Sequence, residues 1–514
     1  MTLRRPRADA LAVAALIALW LLFFWQLFTP VEGDQASLAL GDFSGQFVAF
    51  AGYQYERFAA GEVPLWNPYN NGGLPFIADT QAAVFYPPRL ATLALSRLAG
   101  GFSYHALELE MTAHVLLYTL LMYALVRRMT LGGRGSILGA LAAAIIAGYG
   151  GFTTGYPLLQ LALLEAAVWL PLAVLGVFEA TRQTPIRWRW LLVTGFALGV
   201  SWMAGHPQTS YFLTLLVIAF FAYRGYERRA AWTRIVGGLV LFGALAFGMA
   251  AVQLLPGVEY LAHTARAGFD YEAKGNGFPF QDMVQFVFPG VVSVFSPLYV
   301  GVVGLVLALA ALWQRLPGAW FWGVVAGLAL LWSFGANGAM FPVLYNLLPG
   351  LRFFRGQERA AYLVVNSLAI LAGLGAASLA SWQPSPSDRR LRVWLGRLLA
   401  ACLLITALVI VVKLGQTEPS GEVVSRVALS TLVVAVLFVL LPRAFYDATA
   451  RWLVLALLIL ELFSVNMDAD AVYDPVPPGE QVSMTPPSVL APVLADDDTP
   501  FRVDGWRGLT DNYG

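Results

Sequence analysis

Side chains that could bind a carbohydrate are concentrated in one stretch near the N-terminus. It begins GDFSGQFVAFAGYQYERF and continues GEVPLWNPYNNGGLPFIADTQAAVFYPPR. Carboxylates and amides can bond sugar hydroxyls, and flat aromatic rings can pack on their C–H faces. An interfacial belt of Trp and Tyr is the alternative, but a belt needs neither the NPYNNGG turn nor so many amides. We therefore favour carbohydrate handling, with these candidate residues: Asp42, Gln46, Glu56, Trp66, Asn67, Tyr69, Asp79 and Gln81.

A second candidate is the basic string LRFFRGQERAA, which stands directly before an apolar run. It contains Arg352, Arg355 and Arg359 but one acid, Glu358. The planar fork of arginine binds phosphate in bidentate geometry. The structural alternative is that Glu358 pairs with one arginine while the others extend their charged ends to water. Three arginines against one glutamate leave an excess that a lipid phosphate could neutralise.

A third group of polar residues stands within or between apolar runs. The turn AGHPQTSYF carries His206 and Gln208, for which helix capping and function both stay open. Ionisable residues inside apolar segments face a cavity by default, although a paired structural role fits equally well. The residues of this kind are Glu110 and His114, one helical turn apart, and the isolated Glu165 and Glu461.

The composition indicates a membrane environment for these candidates. Of the 514 residues, 58% are apolar and 12% are charged, and the mean hydropathy is +0.66. Soluble chains carry about 25% charged residues. In a bilayer, helices satisfy their own backbone hydrogen bonds. The single cysteine, Cys402, excludes an internal disulfide, and four scattered histidines give no paired-histidine zinc motif.

Apolar runs of the length that spans a bilayer, about 20 residues, recur along the chain. They predict an all-α polytopic membrane protein with about thirteen transmembrane helices. The candidate spans are 9–29, 107–126, 136–156, 161–181, 190–204, 209–223, 235–252, 298–313, 319–334, 360–381, 396–412, 424–441 and 452–467. The first is long and has no small-residue cleavage site, so we interpret it as a retained helix and not a signal peptide.

Arginine placement predicts the orientation of these helices. Cytoplasmic turns are enriched in Lys and Arg, and every second turn of the predicted bundle is basic. The N-terminus is therefore predicted in the cytoplasm and the C-terminus outside, in a multi-pass cell-membrane protein. The arginines of the predicted inner turns are Arg127, Arg128, Arg134, Arg182, Arg187, Arg189, Arg224, Arg228, Arg229, Arg234, Arg315, Arg389, Arg390, Arg392, Arg443 and Arg451.

This topology divides the chain into two predicted parts. Residues 1–467 form the transmembrane domain, with outside loops at 30–102, 253–297 and 335–359. Phenylalanines and tyrosines at helical spacing from Phe43 to Phe58 predict an interfacial helix in the first of these loops. The acidic, proline-rich residues 468–514 are predicted to begin a soluble extracytoplasmic region that is cut short.

The motifs quoted above also carry a family resemblance. The strings PLWNPYNNGGLPFIADTQAAVFYPPR, GHPQTSYF and FRGQERAAY resemble the bacterial YfhO-type membrane proteins, which are similar to the GT-C glycosyltransferase superfamily. The resemblance spans most of the membrane region. It implies a GT-C-like many-helix fold. It also implies transfer of a sugar from a polyprenyl-phosphate carrier to an acceptor on the non-cytoplasmic face, with inversion at the anomeric carbon.

The resemblance implies roles for the candidate residues. Asp42, the acid that follows the first helix, would be the general base, and Arg352, Arg355 and Arg359 would bind the leaving lipid phosphate. Because the first loop contains no Asp-x-Asp pair, we expect no metal and no other cofactor. A divalent cation, with Asp79 as a ligand or second acid, is the less favoured alternative.

Two other classes of function are compatible with the same residues. One is a transporter or flippase of lipid-linked sugars, and the other is a non-catalytic scaffold with the same fold. Transporters place their charged site near the bilayer midplane, whereas the polar residues here are concentrated in outside loops, which favours the enzyme. The expected partners are the donor lipid and an acceptor lipid, envelope polymer or glycoprotein, with no nucleic acid. The sequence specifies neither the sugar, the acceptor nor the oligomeric state.

Overall fold

The computed structural model is built almost entirely from helices. It describes residues 6–70, 72–133, 135–264, 268–381, 386–414, 421–467, 469 and 472–482. Most of the predicted soluble region, 468–514, lies outside the described residues. The first half of the chain forms α1 (Pro6–Phe23), α2 (Ala49–Ala59), α3 (Pro87–Leu98), α4 (Tyr104–Met129), α5 (Ser136–Tyr149), α6 (Gly151–Thr154), α7 (Tyr156–Leu159), α8 (Leu161–Ala167), α9 (Leu170–Ala180), α10 (Trp188–Met203) and α11 (Pro207–Glu227).

The second half of the chain continues in the same way. It forms α12 (Trp232–Ala262), α13 (Tyr271–Lys274), α14 (Val302–Trp313), α15 (Ala319–Ser333), α16 (Met340–Leu347), α17 (Ala361–Ser378), α18 (Pro386–Leu414), α19 (Gly421–Ala444) and α20 (Ala448–Asn466). The strands β1 (Ser37–Leu38) and β2 (Tyr473–Asp474) pair antiparallel. This pair ties the first loop to the residues that follow α20.

The predicted all-α polytopic membrane fold is confirmed. Among the described residues, eight helical segments are long and apolar enough to cross a membrane. They are Tyr104–Met129, Ser136–Thr154, Leu161–Ala180, Trp232–Ala262, Gln357–Ser378, Arg392–Val412, Gly421–Ala444 and Ala448–Asn466. The other five predicted spans fall on α1, α10, α11, α14 and α15, of which α14 and α15 are short apolar helices.

Helices α5 and α17 form the centre of the bundle and are almost completely buried. They approach so closely that a Cβ built on Gly139 would lie 2.3 Å from the carbonyl oxygen of Gly373. Small residues allow this contact, as is typical of helix pairs in membranes. By contrast, the apolar span of α18 is mostly exposed, which leaves it available to lipid.

The first loop begins with the helical segment that the sequence predicts. A π-helical turn, Phe43–Val48, runs directly into α2. Its apolar side packs against protein: Phe43 meets Tyr104 at a ring distance of 5.4 Å, and Phe50 meets Phe76 at 5.1 Å. Phe43, Phe47 and Phe50 of the predicted interfacial face are therefore buried inside the molecule, whereas Phe58 is half-buried. This packing fixes the start of the segment, where Asp42 stands.

Candidate functional site

The three predicted outside loops meet at one end of the helix bundle, which we call the outer end. The first contact lies within the first loop, where the side-chain amide of Gln46 donates to Oε1 of Gln81 at 2.9 Å. Asp79 shapes the turn that presents Gln81, because its Oδ1 accepts the backbone N–H of Gln81 at 2.9 Å. Asp42 precedes Gln46 by four residues on the same helical segment, so the two stand about one turn apart.

The turn around Thr80 joins the first loop to two helices. Nε2 of Gln253, on α12, donates to the carbonyl oxygen of Thr80 at 2.7 Å. Gly205 approaches the same carbonyl so closely that a Cβ would lie 2.8 Å from it, and its φ of +92° also favours glycine. His206 follows Gly205 and caps α11, its Nδ1 accepting from the backbone N–H of Thr209 at 3.2 Å. The helix-capping role considered for His206 is therefore the role of its Nδ1 atom.

Gln208 connects that turn to the arginine segment. Its Nε2 donates to the carbonyl oxygen of Gly356 at 3.1 Å, and its Oε1 accepts from Nη1 of Arg359 at 3.0 Å. Together these contacts form a continuous series that runs from Gln46 through Gln81 and the Gly205 turn to Arg359. We call this series the outer polar chain. The structure thus brings together predicted site residues from three separate parts of the sequence.

Gln357 holds the arginine segment in place. It is buried, and its Oε1 accepts from Nε1 of Trp332 at 2.8 Å. Its Nε2 donates to the carbonyl oxygen of Lys274 at 2.9 Å, and its backbone N–H donates to that of Asn276 at 2.6 Å. The sequence analysis assigned Gln357 no role. These bonds anchor the segment to the second outside loop.

Two of the predicted phosphate-binding arginines rest on aromatic rings. The guanidinium of Arg352 lies 5.3 Å from the ring centre of Tyr345 and also donates to Oδ1 of Asn346 at 3.3 Å. The guanidinium of Arg355 lies 5.9 Å from the ring centre of Phe269. Both side chains belong to exposed residues, so their remaining N–H groups are accessible to a ligand.

The three arginines of this segment make no direct ion pair within the described part of the chain, although Glu358 lies near enough to Arg355 and Arg359 for their charges to interact. No ion pair found there involves Arg352, Arg355 or Arg359. The structural alternative, in which Glu358 pairs with one of them, is therefore not realised. In addition, Nε of Arg359 is buried without an acceptor among the described residues. The exposed guanidinium groups of Arg352 and Arg355 are the ones that an anion could reach.

The aromatic candidates lie at an exposed edge of the first loop. Trp66 and Tyr69 are 55% and 57% exposed, and Glu56 is exposed as well. Asn67 is buried between them and shapes the turn, with its Oδ1 accepting the backbone N–H of Tyr69 at 2.9 Å. Tyr53, on α2, donates its hydroxyl to the carbonyl oxygen of Trp66. In the described structure, no hydrogen bond joins these residues to the outer polar chain.

A fully buried charge cluster joins residues that the sequence analysis singled out to two that it missed, Arg89 and Tyr86. Nε of Arg89 donates to both carboxylate oxygens of Glu110, at 2.9 and 3.1 Å, and its Nη2 donates to Glu165 at 3.1 Å. The hydroxyl of Tyr86 lies 2.8 Å from Nε2 of His114. Glu110 and Glu165 therefore have the paired structural role. The signal in the sequence was two lone acids in apolar helices, which require a buried cation as a partner.

The ligand atoms of Glu110, His114 and Glu165 also lie close enough together to hold a metal ion. Arg89 donates to both of these carboxylates, however, and so takes the place that a cation would need. Burial acts to lower the pKa of Arg89, but the charges of the two glutamates and their hydrogen bonds raise it above its usual value. Arg89 thus stays charged and satisfies the cluster as an internal cation.

The fold defines the chain as an all-helical, multi-pass membrane protein. No family model matches it, and no curated protein matches it. Among solved structures it is similar to ArnT from Cupriavidus metallidurans. For the crystal structure bound to undecaprenyl phosphate, the identity is 14%, the TM-score is 0.48, and the match covers 89% of this chain and 77% of ArnT. For the apo state the identity is 15% and the TM-score is 0.46, with the same coverage. Likeness at this level transfers no residue's role, and membership of the YfhO-type proteins stays a prediction.

Proposed function

We propose that this protein is a membrane-embedded glycosyltransferase. It moves a sugar from a polyprenyl-phosphate donor to an acceptor at the outer end, predicted to be the non-cytoplasmic face. The observation that carries the proposal is the outer polar chain. It joins the segment that begins at Asp42 to an arginine segment that carries three arginines against one glutamate and makes no direct ion pair among the described residues.

The arginine segment suits the phosphate of the donor. Arg355 donates to no side-chain acceptor among the described residues, whereas Arg352 and Arg359 each donate to one amide oxygen, of Asn346 and Gln208. As the glycosidic bond breaks, negative charge grows on the departing lipid phosphate. Fixed guanidinium groups stabilise that charge more than the charge of the intact donor, and this difference accelerates the reaction.

Asp42 acts as the general base in this proposal. Its carboxylate takes the proton of an acceptor hydroxyl while the hydroxyl oxygen attacks the anomeric carbon of the donor sugar. The bond from that carbon to the phosphate oxygen breaks, and the polyprenyl phosphate leaves with the bonding electrons. Attack and departure occur on opposite faces, so the configuration inverts. Gln46 lies one turn further along the segment. Its side-chain amide, held by the hydrogen bond to Gln81, is placed to orient a sugar hydroxyl.

The exposed aromatic edge suits a carbohydrate-bearing acceptor. Trp66 and Tyr69 present flat faces at the rim of the first loop, and Glu56 adds a hydrogen-bond acceptor nearby in sequence. Aromatic faces pack well on the C–H faces of sugar rings, while the turn held by Asn67 keeps the two rings in place. An acceptor polymer, lipid or glycoprotein would lie along this edge.

The rate of sugar transfer by the variant Asp42→Asn, compared with that of a matched control variant, tests the proposal. Purified protein in lipid nanodiscs would be given labelled polyprenyl-phosphate sugars and candidate acceptors, and the release of polyprenyl phosphate would be measured. Because a general base contributes about 10²–10⁴-fold, we expect Asp42→Asn to lower the rate by about 100-fold or more. Asp34→Asn, an exposed acid of the same loop, should leave the rate unchanged.

The other outcomes are equally informative. Undiminished transfer by Asp42→Asn would contradict the assignment of the base. Absence of turnover with every donor, together with movement of lipid-linked sugar across vesicle membranes, would replace the enzyme with the transporter. Chelation with EDTA should leave the wild-type rate unchanged, because arginines and not a metal stabilise the leaving group in this proposal.

A further inference from the structure

A basic cavity lies at the end of the bundle opposite to the outer end. Helix α11 begins at the His206 turn and ends beside this cavity, which lies between the α9–α10 and α11–α12 connections. Its volume is about 360 Å³, within the size range of ligand sites, roughly 300–1,000 Å³. The residues that line it are Thr181, Gln183, Thr184, Pro185, Ile186, Gly225, Arg228, Arg229, Ala230, Ala231 and Arg234.

The arginines of the cavity form no ion pair with an acid within the described structure. No ion pair among the described residues involves Arg228, Arg229 or Arg234. The acids nearby are engaged elsewhere: Glu227 pairs with Arg224, and Glu179 pairs with Arg128 and Arg182. Three arginines therefore face one cavity with their charges uncompensated.

Arg224 lies directly behind the wall of the cavity. Its side chain is about nine-tenths buried, and its Nε donates at 3.2 Å to Oγ1 of Thr181, a residue of the cavity wall. Its Nη2 is buried and has no acceptor among the described residues. A buried guanidinium N–H without an acceptor is costly, and this one lies behind Thr181 and not in the lining of the cavity itself.

We propose that this cavity binds the phosphate group of an anionic membrane lipid. Basic pockets between transmembrane helices on the cytoplasmic side are suited to anionic headgroups. Tyr226 and Trp232 stand beside the cavity in sequence and are 85% and 73% exposed, as is typical of aromatic residues at the level of the headgroups. Arg228 and Arg234 hold the phosphate. The site is separate from the donor site at the outer end and does not depend on the proposed enzyme activity.

Native mass spectrometry of the purified full chain tests this site. The protein in detergent would be titrated with phosphatidylglycerol, phosphatidylcholine or inorganic phosphate. We expect bound phosphatidylglycerol in preference to phosphatidylcholine. The double variant Arg228→Gln/Arg234→Gln should bind phosphatidylglycerol about tenfold more weakly or worse, because it removes the charge-assisted hydrogen bonds of two arginines to the phosphate. The matched double variant Arg315→Gln/Arg443→Gln removes two exposed arginines of other predicted inner turns and should bind as the wild type does.

The arms of the experiment separate the sources of the phosphate. Binding of inorganic phosphate but not of phosphatidylglycerol, lost in the same double variant, would assign the site to a soluble phosphate and overturn the lipid. Equal phosphatidylglycerol affinity in the wild type and both double variants would overturn the site itself. If the double variant does not fold, the single variant Arg228→Gln, at an exposed helix end, gives the same comparison with a smaller expected loss.

Discussion

At the scale of single residues, Arg89 joins three parts of the chain at one buried point. It stands on α3, at the end of the first loop, and binds Glu110 on α4 and Glu165 on α8. Trp169 extends the cluster by donating to the hydroxyl of Tyr86 at 3.1 Å. The cluster therefore fixes where the first loop returns to the bundle, and with it the loop that carries the candidate site.

Replacing Arg89 should destabilise the protein strongly. Arg89→Gln would leave two buried carboxylates without their cation, which costs about 3–5 kcal/mol for a buried pair. Arg97→Gln removes an exposed arginine from the same helix and should change the stability little. Thermal unfolding of the two variants in detergent checks the difference. Equal melting temperatures would show that the cluster does not anchor the loop.

The sequence predicts which residues carry the charge at the outer end but not how they meet. Three arginines with one glutamate already indicate an excess of positive charge, and the structure confirms that Glu358 does not pair with them within the described residues. The bond between Gln208 and Arg359 joins residues 151 positions apart. Spacing patterns report only neighbours along a helix or strand, so a contact of that range needed the fold.

At the scale of elements, a buried acid positions the start of α14. Glu461, on α20, accepts the hydroxyl of Tyr299 at 2.7 Å and the backbone N–H groups of Val302 and Val303. A carboxylate at this position satisfies N–H groups that have no partner within the helix and opposes the positive end of its dipole. The sequence left open whether Glu461 faces a cavity or has a structural role. The structure shows a structural role.

Removing this carboxylate should loosen the contact of α14 with α20. Glu461→Ala leaves three buried donors without an acceptor, at about 1–3 kcal/mol for each group. Glu461→Gln keeps one oxygen acceptor and should lose distinctly less stability. Hydrogen exchange at the first turn of α14 would measure the effect directly. Unchanged protection in Glu461→Ala would contradict the capping role.

Hydropathy predicts the helices of this chain well because the bilayer demands long apolar runs. All thirteen predicted spans fall on helices. The surroundings of the first-loop segment could not be predicted in the same way. The spacing of Phe43, Phe47 and Phe50 reports an apolar face, but it does not say whether lipid or protein covers that face. In the structure, protein covers it.

At the scale of the whole molecule, the orientation in the membrane follows from the arginine-rich turns and stays a prediction. Cysteine labelling can test it, because Cys402 is the single cysteine and is buried. In intact cells, a membrane-impermeant maleimide should label Glu62→Cys in the first loop and not Arg315→Cys. After permeabilisation both should be labelled. The reverse pattern would place the candidate site in the cytoplasm and contradict the proposed donor side.

The two ends of the molecule both collect uncompensated arginines, but their surroundings differ. At the outer end, Arg359 contacts Gln208 in the outer polar chain, whose other end, Gln46, lies about one turn from Asp42. At the opposite end, Arg228 and Arg234 adjoin a buried arginine and exposed aromatic rings. The first arrangement suits a reacting phosphate, and the second suits a lipid held at the membrane surface.

Binding of polyprenyl phosphate at the outer end is the central claim, and its affinity is the most direct measurement. Native mass spectrometry would compare polyprenyl phosphate with the uncharged polyprenol. Arg355→Gln/Arg359→Gln should bind the phosphate about tenfold more weakly or worse. Arg57→Gln/Arg97→Gln, which removes two arginines of the first loop, should bind it as the wild type does. Equal affinity in all three proteins, or equal binding of polyprenol and polyprenyl phosphate by the wild type, would contradict a phosphate site in this segment.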